Sequence, residues 1–105
     1  MSKVRASHIL LMYAGSSRST ASRSKAEALE GVQGFLTELG EGVEFGDLAR
    51  KHSDCPSGAS GGDLGFFGRG QMVPEFEEAA FNMEIGQTSD VIETSFGYHL
   101  VQRTG

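Results

Sequence analysis

A chain of 105 residues with 38% hydrophobic content suits one domain with its own core and is too apolar for a disordered segment. Its formal net charge of −5 argues against a nucleic-acid partner, which needs a clustered basic face. No apolar run reaches the length of a bilayer span, and Met1-Ser2-Lys3-Val4-Arg5 lacks a signal-peptide stretch, so a free-standing cytoplasmic protein off the membrane is expected.

Lys3 to Met12 alternates at Val4, Ala6 and His8 and then turns apolar at Ile9-Leu10-Leu11-Met12, the pattern of a buried, central strand. Tyr13 to Ser22 is small and polar and predicts an exposed loop, the most weakly held part of the chain, with only Tyr13 to pack. Ser24-Lys25-Ala26-Glu27 has capping-box spacing and opens a helix. Leu29, Val32, Leu36 and Leu39 carry it at helical spacing to Gly40, although Gly31 and Gly34 each cost about 1 kcal/mol relative to alanine. Phe45, Leu48 and Ala49 mark a second helix running to His52.

From Ser53 to Gly70 glycine and serine dominate, a shaped loop around a short strand at Asp63-Leu64-Gly65-Phe66-Phe67. Pro74 to Phe81 is a short helix, with Pro74 and the acidic residues at its positive end. Thr88 to Glu93 and Tyr98 to Arg103 read as strands joined around Thr94-Ser95-Phe96-Gly97. This order gives an α+β fold in which helices partly cover one sheet.

Reactive chemistry rests on His8, Cys55 and His99. A lone histidine on a strand is usually structural, with both ring nitrogens satisfied. Two of them with a cysteine in a glycine-rich loop fit Cys-His nucleophilic chemistry. They fit a mixed Cys/His metal site as well, although a single cysteine excludes an intrachain disulfide and a multi-cysteine zinc site. The residues alone leave these alternatives open.

The stretch from Ser53 to Phe76, with Asp54-Cys55, Gly61-Gly62-Asp63-Leu64-Gly65, and Gly70-Gln71-Met72-Val73-Pro74-Glu75-Phe76, resembles the central signature of the parvulin family of peptidyl-prolyl cis/trans isomerases. Ala6-Ser7-His8-Ile9-Leu10, Phe45-Gly46-Asp47-Leu48-Ala49 and Phe96-Gly97-Tyr98-His99-Leu100 are similar to its first-strand, second-helix and last-strand motifs, in the same order. The resemblance implies one parvulin-like (FKBP-like) domain over residues 1–105. It implies a four-stranded, mainly antiparallel sheet surrounded by helices, with a short extra helix before the second strand.

It also implies roles. His8 and His99 match the paired histidines of the active-site floor, and Thr94 matches the hydroxyl bonded into that pair. Cys55 matches the position beside the substrate carbonyl, with Asp54 its neighbour. Leu64, Met72 and Phe76 match the apolar slot for the proline ring, and Phe96 is expected to extend it. A slot open to substrate would leave Phe76 partly exposed, so that its truncation would harm turnover more than folding.

Rotation about X-Pro breaks no bond, so neither metal nor cofactor is required; the expected partners are proline-containing peptides or unfolded proteins, bound by a monomer. Some parvulins prefer phosphorylated Ser/Thr-Pro through basic residues after the first strand. Here Met12 stands where those members carry lysine, which leaves Arg18 and Arg23 as candidates for at most a weak acidic or phosphate preference. A binding-only chaperone module on the same groove is the alternative outside enzymology.

Overall fold

Of the eight residues in β1 (Val4–Leu11) only Arg5 is exposed, as a strand covered on both faces demands. The computed structural model describes residues 3–17 and 19–105. In it β1 pairs antiparallel with β2 (Asp63–Phe67) on one side and β4 (Gly97–Arg103) on the other, and β3 (Ile92–Thr94) closes the far edge, giving the order β2-β1-β4-β3.

The first helix, α1 (Lys25–Gly40), starts where its capping box places it. Ser24 Oγ accepts from the Glu27 amide at 3.1 Å, and the Glu27 carboxylate accepts from the Ser24 amide at 2.8 Å. Gly31 lets this helix approach the sheet, since a Cβ there would stand 2.8 Å from Leu11 Cδ1; Gly34 faces open space and has no such reason. Helix α2 (Phe45–His52) buries Phe45, Leu48 and Ala49. Together α1 and α2 form one core with Ile9, Leu11, Tyr98 and Leu100. The other face of the sheet carries α3 (Pro74–Asn82), whose Phe76 and Ala80 pack with Val4, Ala6, Phe67, Met83 and Val101.

Strand alternation decides where the chemistry goes. His8 shares a face with Val4 and Ala6, and His99 shares one with Val101; both are on the α3 side. The β1–β4 register pairs His8 with Val101 and Leu10 with His99, so the two histidines are diagonal neighbours on the central strands.

Three expectations change. The predicted strand over 88–93 shrinks to Ile92–Thr94, preceded by an isolated Thr88–Gln102 bridge. Ser89 is the cause: its amide donates to the Val101 carbonyl at 2.8 Å, while its hydroxyl, rather than a backbone carbonyl, accepts from the Val101 amide at 3.0 Å. The short helix in the glycine-rich loop is a 3₁₀ turn over Pro56–Ser60. The loop after β1 is also better held than its composition predicts. The Ala14 amide donates to Arg23 O at 2.9 Å, the Ser17 amide to Ser95 O at 2.8 Å, and the Tyr13 hydroxyl to Glu93 at 3.2 Å. Backbone ties of this kind leave no mark on apolar periodicity.

Two glycines are dictated by close approach. Gly62 (φ +84°) gives its carbonyl to the His8 amide at 2.9 Å, and a Cβ there would lie 2.2 Å from the His8 oxygen. Gly97 (φ +145°) opens β4, where a Cβ would lie 2.3 Å from the Leu11 oxygen.

Candidate active site

On the α3 face the two imidazoles meet directly. His8 Nδ1 and His99 Nδ1 are 3.2 Å apart, and the rings lie edge to edge, centroids 5.3 Å apart and planes 23° from parallel. His99 Nε2 lies 2.8 Å from Thr94 Oγ1, and His8 Nε2 lies 3.2 Å from Ser57 Oγ. Ser57 Oγ in turn donates to Cys55 Sγ at 3.2 Å. Ser57 is the member that sequence reasoning missed. Nothing in a run of serines and glycines singles it out until the 3₁₀ turn places it two residues after Cys55 and under His8.

The polarity of this chain follows from its ends. Thr94 is buried, and its oxygen already accepts from the Phe96 amide at 3.2 Å. If His99 Nε2 also donated to it, the threonine proton would lack an acceptor among the described residues. Thr94 therefore donates to His99 Nε2, His99 Nδ1–H donates to His8 Nδ1, His8 Nε2–H donates to Ser57, and Ser57 donates to sulfur. This order needs both rings neutral, and burial supplies that. Both imidazoles are pushed from the ordinary 6.5 down to about 4, by desolvation and, for His8, to a lesser degree by the neighbouring His99 ring. The sulfur receives a hydrogen bond and gives no proton to an imidazole, which is the opposite of an activated nucleophile. Among the described residues no three His, Cys, Asp or Glu side chains gather as a metal site.

Phe76 stands edge-on to both rings, with centroids 5.6 Å from His8 and 6.1 Å from His99. It is 3% exposed, so the expected half-open ring is not found. Helix α3 seats it against Phe67 as well, at 5.8 Å, which makes it core and site wall at once. Leu64 and Met72 are half-buried and pack against the same cluster. Phe96 is half-buried at the β3–β4 turn and is held beside Thr94 through its amide.

Asp54 is not part of the imidazole chain. Its carboxylate accepts from Arg23 Nη1 at 2.5 Å and from the Met12 amide at 2.9 Å, and Arg23 also donates to the Met12 carbonyl at 2.9 Å. Asp54 and Arg23, read separately as a site neighbour and a phosphate contact, are therefore partners in one ion pair in a cleft lined also by Met12, Thr20 and Pro56. Arg18 lies outside the described residues.

Comparison with known proteins gives the family of the chain and of its fold. Residues 1–105 match the family described as the PPIC-type PPIASE domain. A curated relative, peptidyl-prolyl cis-trans isomerase Pin1 of Digitalis lanata, is 42% identical over 98% of this chain and 97% of its own length. The isomerase ESS1 of Saccharomyces cerevisiae is 39% identical over 98% of this chain but only 66% of its own length. Among solved structures, the peptidyl-prolyl isomerase ESS1 from Candida albicans superposes with a TM-score of 0.94 at 42% identity, covering 98% of this chain and 63% of that one. The chain thus spans nearly all of one relative and about two thirds or less of the others.

Proposed function

Because the chain belongs to the parvulin, or PPIC-type, family and is a peptidyl-prolyl cis/trans isomerase, we propose that it turns X-Pro bonds of flexible polypeptides over the His8–His99 pair. The observation that carries the assignment is Phe76 edge-on to two neutral imidazoles whose hydrogen-bond chain ends on Cys55. The X-Pro barrier is ~20 kcal/mol and comes from amide resonance. A site lowers it by binding the twisted amide better than either planar form. In this reading Leu64, Met72, Phe76 and Phe96 hold the proline ring while the preceding carbonyl swings past Cys55. The neutral histidine pair keeps charge away from an amide that loses charge separation as it twists. Thr94 and Ser57 fix the two tautomers, and Asp54 with Arg23 shapes the rim. The 105 residues act as one domain and as a monomer. A protease-coupled assay on an Ala-Pro peptide tests the reading directly, and an inactive protein would overturn it.

Cys55→Ala is expected to lower kcat/KM roughly tenfold, the worth of the Ser57–Sγ hydrogen bond that ends the imidazole chain, with an unchanged urea melt, because Cys55 sits in a half-buried loop. Cys55→Asp should keep much of the activity, since a negative acceptor replaces the sulfur. Full activity in Cys55→Ala would remove Cys55 from the mechanism.

The Arg23–Asp54 pair sets the preference for the residue before proline. An arginine already neutralised by a carboxylate offers little to a phosphate dianion, and Met12 offers no charge. Phosphoserine or glutamate should exceed alanine by several-fold at most, roughly what an exposed pair of 0–1 kcal/mol allows, and the margin should shrink with salt. Arg23→Ala should reverse it, because Asp54 is then left alone in the cleft. A hundredfold preference for phosphoserine in the parent would refute this view.

A further inference from the structure

We infer that Glu77 is a positioning residue for the proline slot, holding the β2–α3 loop that carries Met72 at a fixed distance from the helix that carries Phe76. The inference rests on the slot assigned above. Glu77 follows Phe76 in the first turn of α3, where a carboxylate usually serves only the helix dipole, a task that the exposed Glu75 can fill. Glu77 does something else. One carboxylate oxygen accepts from the Gly70 amide, and the other lies 3.4 Å from Arg69 Nη1. Its side chain is 19% exposed against 61% for Arg69, so the carboxylate is drawn in under the loop rather than reaching out to a surface partner.

The loop is closed from within as well. The Gly68 amide donates to Gln71 Oε1 at 2.6 Å, and Gly70 turns at φ +86°. The Arg69 guanidinium lies 4.4 Å from the ring centre of Phe81, one turn further along α3. The loop is thus fastened to α3 at two points, Glu77 and Phe81, immediately before Met72. Among the described residues Glu77 is the one charged acceptor in this arrangement, and the bond it takes is from the backbone of the turn itself. Without it the loop is left with the Arg69–Phe81 contact, which does not hold the Gly70 backbone beside Met72, and the width of the slot between Met72 and Phe76 loosens.

The test compares the parent with Glu77→Ala, Glu77→Gln and Arg69→Ala on paired peptides, Ala-Pro and the larger-ringed Ala-pipecolyl. Glu77→Ala should raise KM for Ala-Pro roughly tenfold, as expected for losing a hydrogen bond to a charged acceptor, with kcat little changed. It should also narrow the Pro-to-pipecolyl ratio of kcat/KM, because a looser slot admits the six-membered ring. Glu77→Gln keeps an oxygen for the Gly70 amide and should restore both quantities to near the parent's. Arg69→Ala, which leaves the Gly70 bond in place but removes the Phe81 contact, should shift both quantities less than Glu77→Ala. A merely structural role would lower the melting point and leave the ring ratio per folded molecule untouched. An unchanged ratio in an active Glu77→Ala protein, or a loss in Glu77→Gln equal to that in Glu77→Ala, overturns the inference. A parent inactive on both peptides overturns the isomerase reading and this inference with it.

Discussion

Phe76→Ala is expected to cost about 3–5 kcal/mol of stability, the range for deleting a buried aromatic side chain, and to abolish most turnover in the molecules that stay folded. The ring is 3% exposed and touches Phe67 on one side and both imidazoles on the other. Its loss opens a cavity between α3 and the sheet, and water entering there would reach His8 and His99. A domain of this size has roughly 5–15 kcal/mol in all, so the variant should still fold at low temperature but melt far earlier. Urea unfolding paired with the isomerase assay separates the two effects. A loss under 1 kcal/mol would mean that Phe76 is an open wall after all. Core-like destabilisation with full activity per folded molecule would leave it a packing residue only.

Acidification should act on the same pair. Burial holds His8 and His99 at about 4, against 6.5 when free. Between these values the unfolded chain binds more protons than the native one. Their contribution is therefore complete above about pH 6.5 and is lost as the pH falls toward 4. At about 1.4 kcal/mol per unit, each ring on its own accounts for about 2 kcal/mol lost by pH 5. The two losses do not simply add, because protonating one ring hinders the other. Depressed carboxylates such as Asp63 and Glu93 are lost only at lower pH, so the window from 6.5 to 5 isolates the histidines. Urea melts across that window should show falling stability, and ring titrations by NMR should show both midpoints well below 6.5. Flat stability between pH 7 and 5, or ordinary midpoints, would mean that the pair is solvated.

Much of this molecule is legible in its contiguous residues. The near-unbroken apolar run of β1 announces a strand covered on both faces, Ser24 and Glu27 cap α1 where it begins, and Pro74 opens α3. Each of these signals acts within a few residues, through side-chain period, a local hydrogen bond or a fixed φ, so it can be read without the fold. The motifs around His8, Cys55 and His99 likewise name the family before any coordinates are known.

What the sequence could not decide is set across long separations. His8 meets His99 across 91 positions only because the β1–β4 register makes them diagonal neighbours on the α3 face. Ser57 joins the pair to Cys55 only once the 3₁₀ turn folds beneath His8. Arg23 and Asp54 stand in segments that read as a charged loop and a site neighbour, and they neutralise each other only when the β1–α1 loop closes on β1. Ser89 takes over a ladder bond from the backbone and shortens β3, although its neighbours have strand patterning. The division has one physical origin. Propensity and capping are properties of neighbouring residues, whereas burial, register and pairing depend on which surfaces packing brings together. The site's neutrality and hydrogen-bond polarity belong to that second kind, because both exist only when the histidines are removed from water.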